Sequence, residues 1–159
     1  MDADFALDRI DRSILRILQA EGRLANQALA PRVGLSPSAC LVRVRQLEQA
    51  GIIQGYHARL DPFRIGIGLV LFAQVSLESN GPDELALFEE AITAHSAVVE
   101  ASHVSGDVDF FLKVVVKDMP EWTALKDELY RRGIGIKRIT TLILMSKPKI
   151  FEGYPISSF

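Results

Sequence analysis

A chain of 159 residues is long enough for two small domains, and a hydrophobic content of 48% is ample for packed cores. The sequence has no apolar run of about 18 residues and no basic-then-apolar leader, so we expect a cytoplasmic protein without a membrane partner. A formal net charge of −2 argues against nucleic-acid binding until the chain is divided into its parts.

Positive charge is concentrated in the first part of the chain. Residues 1–60 hold 8 Arg and 6 acids, a net +2, whereas residues 61–159 hold 10 Lys plus Arg and 14 acids, a net −4. From Arg23 to Arg59 there are five Arg against one acid, Glu48, a local +4. Because attraction to phosphate is screened within about 10 Å at moderate salt, this window matters more than the total. The alternative is a solvated surface with a modest excess of Arg.

Three helices are predicted in the first 50 residues. Asp8 and Asp11 form an acidic start to the first helix, which carries an apolar stripe. Residues 26–33 form a short apolar-patterned segment, and Gly34-Leu35 joins it to the third helix by the tight turn of a helix-turn-helix. A small three-helix unit of any function could show the same stripes and caps. The pattern therefore favours DNA binding without requiring it.

The third helix is predicted over residues 37–50, with Ser36 as N-cap, Pro37 in the first turn and Gly51 in the left-handed position that ends a helix. At 100° per residue, one face gathers the apolar side chains expected to pack, namely Cys40, Leu41, Val44 and Leu47. The opposite face and its flanks predict a surface that enters the major groove of DNA. Its residues are Ser36, Ser38, Ala39, Val42, Arg43, Arg45, Gln46 and Gln49.

The rest of the chain has the periodicity of a mixed domain. A strand is predicted over residues 52–60, and Asp61-Pro62 with Gly66 and Gly68 then predicts a hinge. The order that follows is βαββαβ, in which two helices cover one face of an antiparallel sheet. Its elements are predicted at residues 69–77, 83–94, 98–104, 109–117, 120–131 and 136–146.

Both faces of this sheet carry apolar residues, so the face without helices requires another cover. Phe110, Leu112 and Val114 are predicted opposite to Phe111 and Val115. In the last strand, one set points one way and a second set the other: Ile136, Thr140, Leu142 and Leu144 against Ile139, Ile143 and Met145. The sheet of another subunit would provide the cover. The alternative cover is the first domain or the C-terminal tail.

Three segments carry a resemblance to a known family. They are LDRIDRSIL near the start, GLSPSACLVRVRQLEQAGIIQGY from residue 34, and VSGDVDFFLKVVVKDM from Val104 to Met119. In order and spacing, residues 7 to about 147 resemble the Lrp/AsnC family of feast/famine transcriptional regulators. The resemblance implies an α+β chain with a winged helix-turn-helix domain and a ferredoxin-like βαββαβ (RAM) domain. The implied division is 1–60 for DNA binding, 61–68 as linker, 69–147 for effector binding and oligomerisation, and 148–159 as tail.

The resemblance also implies partners: double-stranded DNA, an amino-acid effector, and further copies of the chain, as homodimers that assemble into an octamer. The loop from Ser105 to Asp109 joins two antiparallel strands, and its Gly-Asp pair is equally typical of an ordinary hairpin turn. An amino acid needs N–H donors for its carboxylate and a carboxylate, such as that of Asp109, for its ammonium. In similar proteins this loop and the last strand of a neighbour form the effector pocket. The corresponding candidates are Gly106, Asp107, Asp109, Met119, Thr140 and Thr141.

Two positions depart from the family pattern. Pro31 falls inside the second helix, where proline costs about 3 kcal/mol, and Ala25 replaces a Ser or Thr cap that contributes ~1 kcal/mol. A kinked or late-starting second helix is therefore expected. The aromatic tail after Pro148 receives no functional interpretation from the sequence.

An enzyme is the alternative to a regulator, because siroheme decarboxylases are similar in their two-domain architecture and the fold alone does not decide function. The three His, His57, His95 and His103, are scattered without metal-ligand spacing, and the single Cys40 suits a core position. We therefore expect no catalytic residue, no metal and no cofactor. A DNA-packaging protein without ligand response is the other alternative, since it would need no intact Gly-Asp loop.

Overall fold

The chain, described by a computed structural model over residues 6–79 and 81–156, divides into two compact units. The first unit contains the residues up to Arg59 together with the segment from Lys149 onward, and the second runs from Leu60 to Pro148. Residues 1–5, 80 and 157–159, which include the ends of the predicted first domain and tail, lie outside the described residues. The predicted hinge at 61–68 falls in the second unit and contains a 3-10 turn at Phe63–Ile65.

The first unit is built on three helices, α1 (Arg9–Ala20), α2 (Asn26–Arg32) and α3 (Pro37–Gln49). The acidic start predicted for α1 is confirmed as a capping box, in which Asp8 and Asp11 each accept a hydrogen bond from the backbone N–H of the other. The helices enclose a small apolar core whose buried members come from all three of them. They are Ile14, Leu15, Leu29, Ala30, Cys40 and Leu47.

The second helix tolerates the two unfavourable residues by being short. Ala25 is its N-cap in an extended conformation and makes no side-chain capping bond, and Pro31 lies one residue before the end at Arg32. A proline so close to the C-terminus disrupts only the last turn. The packing of Leu29 and Ala30 into the core supplies what the local sequence lacks.

No strand is present over residues 52–60, so the strand predicted there is wrong. Gly51 takes a φ of +69°, and the N–H groups of Ile52 and Ile53 both donate to the carbonyl of Leu47, which closes the end of α3. The remaining residues alternate in polarity, but alternation stabilises a strand only when a neighbouring strand accepts its hydrogen bonds.

The C-terminal segment packs onto α1. Gln19 binds Tyr154 reciprocally: its side-chain amide donates to the Tyr154 carbonyl at 3.2 Å and accepts from the Tyr154 N–H at 2.6 Å. Ile156 packs against the core of the first unit. At Gly153 the φ of +125° and the Gln19 side chain, 2.7 Å from the position of a Cβ, leave no room for another residue. The segment is therefore part of the first unit.

The second unit is the predicted βαββαβ domain. Its elements are β1 (Leu69–Leu77), α4 (Pro82–Thr93), β2 (Val98–His103), β3 (Phe110–Val116), α5 (Met119–Arg131) and β4 (Ile136–Ile143). The sheet is antiparallel in the order β2-β3-β1-β4, which leaves β2 and β4 as its edges.

Both helices pack on one face of the sheet, where Phe88, Trp122 and Leu129 join the inward side chains of β1 and β3 in a single core. Phe111 and Phe72 lie on the other face, with ring centroids 5.5 Å apart. Ile136 was predicted on that face with Thr140, but a register shift at Ser76/Leu77 turns it to the helix-covered side. The alternation predicted for β3 is confirmed.

Candidate functional site

Local contacts fix both ends of α3. The Ser36 hydroxyl accepts from the Ala39 N–H at 3.3 Å, Pro37 occupies the first turn, and the chain leaves through Gly51, all as predicted. The side-chain amide of Asn26 in α2 donates to the Pro37 carbonyl at 2.7 Å. This bond ties the start of α3 to α2 and fixes the angle of the helix-turn-helix.

The two faces of α3 differ in exposure largely as its sequence predicts. Cys40 and Leu47 are fully buried. Leu41, predicted to be an inner residue, is instead exposed at 37%, because it lies at the edge of the three-helix core. The outer residues form a continuous exposed surface of polar and small side chains around Val42, made of Ser36, Ser38, Ala39, Arg45, Gln46 and Gln49.

Arg43 differs from the other predicted outer residues because it is already bound. One of its guanidinium nitrogens, Nη1, lies 2.7 Å from Oδ2 of Asp8 and 2.8 Å from Oδ1 of Asp11. These hydrogen bonds, first with Asp11 and then with Asp8, raise the pKa of Arg43. The pKa of Asp8 is lowered, chiefly by the backbone N–H of Asp11 and also by Arg43. Sequence periodicity placed Arg43 beside the outer face but could not reveal partners more than 30 positions away.

A second polar contact in the same unit joins the segment after α3 to the end of that helix. The Tyr56 hydroxyl donates to Oε1 of Glu48 at 3.0 Å, so the extended segment is held against the end of α3. Burial, together with the neighbouring Glu48 carboxylate, raises the pKa of Tyr56 to about 12. The pairing of Tyr56 with Glu48 was not predicted; its only signal in the sequence is that the two residues stand close to each other on either side of the helix end.

The loop at residues 105–109 is a structured connection between β2 and β3. Asp109 accepts a hydrogen bond from the Leu77 N–H through Oδ2 at 2.7 Å, and its own N–H donates to the Val75 carbonyl. Gly106 has a φ of +136° and is exposed, as is Asp107. One carboxylate oxygen of Asp109 therefore anchors the end of β1, and the loop has a structural role whatever it binds.

Of the other effector candidates, Met119 lies far from this loop in the same chain, and the two threonines lie on β4, across β1 from it. Met119 begins α5, beyond the end of β3 that is opposite to the loop, and seven extended residues span about 20 Å. Thr140 and Thr141 point to opposite faces of β4, since Thr141 accepts a 2.9 Å hydrogen bond from the indole N–H of Trp122 on the helix-covered side. Within one chain, Met119 is thus separated from the loop, whereas Thr140 pairs with Gln74, which pairs in turn with Phe111 near the loop.

In the described part of the chain, no group of three or more His, Cys, Asp or Glu residues is placed to hold a metal ion. His95 lies 3.5 Å from Glu128, and His103 stacks on Phe110 at 4.8 Å. Cys40 is buried, and burial raises the pKa of its thiol. Among the helices described, none has the length and apolar character to cross a membrane.

Comparison with known families matches each unit separately. The family described as winged helix-turn-helix DNA-binding matches residues 7–54, and the Lrp/AsnC ligand binding domain matches residues 70–153. With the exposed face of α3, these matches define the class: a DNA-binding transcriptional regulator with a separate domain for a small-molecule effector. The leucine-responsive regulatory protein of Escherichia coli K12 is 42% identical over 143 residues, covering 90% of this chain and 87% of that protein. The chain belongs to the Lrp/AsnC family.

Solved structures agree in both sequence and fold. An AsnC family transcriptional regulator from Agrobacterium tumefaciens is 34% identical with a TM-score of 0.86, covering 96% of this chain and 99% of that one. A transcriptional regulator from Neisseria meningitidis, solved in complex with L-methionine, is 31% identical with a TM-score of 0.87 and the same coverage. The named relatives are regulators, which is consistent with a protein that is not an enzyme.

Proposed function

We propose that the outer face of α3 reads the major groove of double-stranded DNA. The observation that carries the proposal is the continuous exposed surface around Val42, on a helix whose opposite face is buried in the core. Arg45 is exposed on this surface and has no ion-pair partner among the described residues. Side chains such as Gln46 and Ser38 can bond to base edges, while Arg45 is placed for a phosphate or a guanine.

The salt dependence of binding tests this role. Arg45→Gln should lower the slope of log K against log salt by about one unit if Arg45 contacts a phosphate. Arg64→Gln is the matched control, because Arg64 is 89% exposed in the second unit and should leave the slope unchanged. The assay is fluorescence anisotropy on a duplex that the parent protein has selected from a random pool. Equal slopes for Arg45→Gln and the parent would remove this position from the interface.

We propose that the effector is an amino acid or a similar small metabolite. The loop at 105–109 offers backbone N–H groups near Gly106 and the Oδ1 atom of Asp109, which complement an α-carboxylate and an α-ammonium. Leucine and methionine are the first probes, because relatives are named for a leucine response and for an L-methionine complex. A ligand at 100 times its Kd should add about 2.7 kcal/mol of stability.

Asp109→Asn separates an effector loop from a plain hairpin turn. The amide keeps an oxygen for the Leu77 N–H but removes the charge, so effector affinity should fall about tenfold or more. DNA binding without effector should barely change, and the effect of saturating effector on DNA affinity should recover. Calorimetry that gives the same effector affinity for variant and parent would return the loop to a structural role.

We propose further that the protein works in the cytoplasm as homodimers that assemble into an octamer and catalyse no reaction. The exposed side of the sheet around Phe72 and Phe111, which also carries Gln74 and Lys113, supports a sheet-to-sheet contact, because aromatic side chains on a sheet face are more stable when covered. The separation of the loop from Met119 within one chain supports a pocket completed by a neighbouring protomer. The regulator names of the relatives support regulation over catalysis.

A further inference from the structure

Arg43 binds two carboxylates whose positions are already fixed by hydrogen bonds from backbone N–H groups. Oδ1 of Asp8 accepts from the N–H groups of Ile10 and Asp11 at 2.7 and 2.8 Å, which leaves Oδ2 for Arg43. Oδ2 of Asp11 accepts from the Asp8 N–H at 3.1 Å, which leaves Oδ1 for Arg43. Both carboxylates are thus fixed by the cap of α1 and aimed at the same guanidinium nitrogen.

The burial of this cluster is uneven, and the unevenness matters. The Asp11 side chain is exposed at only 7%, against 31% for Arg43 and 47% for Asp8. Asp11 is the buried charged residue of the described chain, and a buried carboxylate is costly once its cation is removed. If Arg43 turned toward a DNA phosphate, the buried carboxylate of Asp11 would therefore lose its cation.

The cluster also joins α1 to α3 at the surface of the apolar core that the two helices share. Asp8 and Asp11 begin α1, and Arg43 lies at the middle of α3. The start of α3 is held by the bond from Asn26 to the Pro37 carbonyl. Two anchors along one helix fix the direction of its axis and the rotation of its outer face.

We propose that Arg43 is a positioning residue for DNA recognition, which sets the orientation of α3 by binding Asp8 and Asp11, and does not itself contact DNA. The proposal rests on the proposed function, since it assumes that the outer face of α3 reads DNA. The sequence specificity of α3 then depends on Asp8 and Asp11, two acidic residues that would repel phosphate if they lay against the DNA.

The sign of the effect of removing an acid distinguishes positioning from direct contact. If Arg43 contacts phosphate, Asp11→Asn removes a competing negative charge and strengthens DNA binding. If Arg43 positions α3, Asp11→Asn weakens binding to the selected sequence by about tenfold, the value of one base contact. Glu21→Gln is the matched control, because Glu21 pairs with Arg32 on the exposed surface of the same unit and its loss should not weaken binding.

The experiment uses the full chain and measures affinity for the selected duplex and for an unrelated duplex at several salt concentrations. Arg43→Gln and Asp11→Asn should each weaken selective binding without changing the salt slope, and the double variant should be no worse than the poorer single variant. Arg43→Lys, which keeps the charge, should restore part of the selectivity. Thermal melts of each variant separate loss of recognition from loss of folding.

Asp8→Asn keeps the proposal testable if the Asp11 variants unfold, because Asn caps a helix as well as Asp and Asp8 is half-exposed. It should weaken selective binding in the same direction by a smaller factor. Tighter binding by Asp8→Asn or Asp11→Asn, or a slope reduced by about one in Arg43→Gln, would overturn the proposal. A normal slope in Arg45→Gln, with selectivity still lost in Arg43→Gln, would instead count against the phosphate role of Arg45 alone.

Discussion

The two units of this regulator are held together by different means. Among the described residues, the second unit has 14 buried apolar residues in one core that joins two helices to a four-stranded sheet. The first unit has six, and polar contacts supplement them: Arg43 with two carboxylates, Asn26 with Pro37, and Tyr56 with Glu48. A small core leaves helix orientation underdetermined, whereas hydrogen bonds with fixed partners are directional. The first unit should therefore be more sensitive to single polar substitutions than the second unit, in which polar contacts such as that of Asp109 with the Leu77 N–H supplement a larger core.

Matched truncations in the two cores should give the largest effects. Leu47→Ala and Leu112→Ala each remove a fully buried leucine and should each cost about 2–5 kcal/mol. In the smaller core, that loss should unfold the first unit selectively and abolish DNA binding. In scanning calorimetry, the unfolding transition of the first unit should move to lower temperature. Leu87→Ala, on the exposed side of α4, should change stability by less than about 0.5 kcal/mol, and an equal effect there would contradict the comparison.

A charge on the helix-free face of the second unit should weaken assembly next most strongly. Phe111→Asp should raise the dimer dissociation constant at least about tenfold, or 1.4 kcal/mol, because an unpaired carboxylate is costly in an apolar contact. Ile143→Asp is the control, since Ile143 is on the helix side of the sheet at its edge and is already 48% exposed. Sedimentation that found the parent protein monomeric would end the argument.

Removing equivalent helix caps should cost less and should sharpen the contrast. Ser36 caps α3 and Asp118 caps α5, each by accepting one backbone N–H. Ser36→Ala and Asp118→Ala should each lower stability by about 1 kcal/mol. Only Ser36→Ala should also weaken DNA binding, because it loosens the start of the reading helix. Equal loss of DNA affinity in both variants would show that stability alone sets binding.

The smallest predicted effect is a dependence of stability on acid. The pKa of Asp8 is lowered in the folded chain, chiefly by the Asp11 N–H and also by Arg43, so Asp8 stabilises the fold at any pH above its ordinary pKa. That contribution is lost as pH falls through the lowered folded value. Urea midpoints measured from about pH 5 to about pH 2 should fall less steeply in Asp8→Asn than in the parent. If the urea midpoints of the variant and the parent fell in parallel with pH, Asp8 would not contribute to the acid dependence of stability.

Features set by neighbouring residues were predictable, and features set by distant ones were not. Ser36, Pro37 and Gly51 mark both ends of α3 because caps act within a turn of the chain. The partners of Arg43 lie in another helix, so only the folded chain brings them together. The pairing of Asp109 with the Leu77 N–H is likewise a contact between strands distant in sequence.

The errors in the sheet have a similar cause. Ile136 was placed on the wrong face because one extra residue at the register shift reverses the alternation, and nothing in the local sequence marks it. The strand predicted over residues 52–60 was wrong because alternation alone supplies no hydrogen-bond partner. The effector candidates remain predictions, although the separation of Met119 from the loop in one chain limits how a pocket could be built from them.

The hydrogen bonds between Gln19 and Tyr154 attach the C-terminal segment to the DNA-binding unit. In the order of the chain, the effector domain is therefore an insertion within that unit. During synthesis the three helices emerge first, but Gln19 and the core around Ile156 are satisfied only after the whole inserted domain has left the ribosome. The entropic cost of closing a flexible loop grows only with the logarithm of its length, so a long insertion adds little to the cost of this closure. The DNA-binding unit consequently begins to emerge before the effector domain but can be completed only after it.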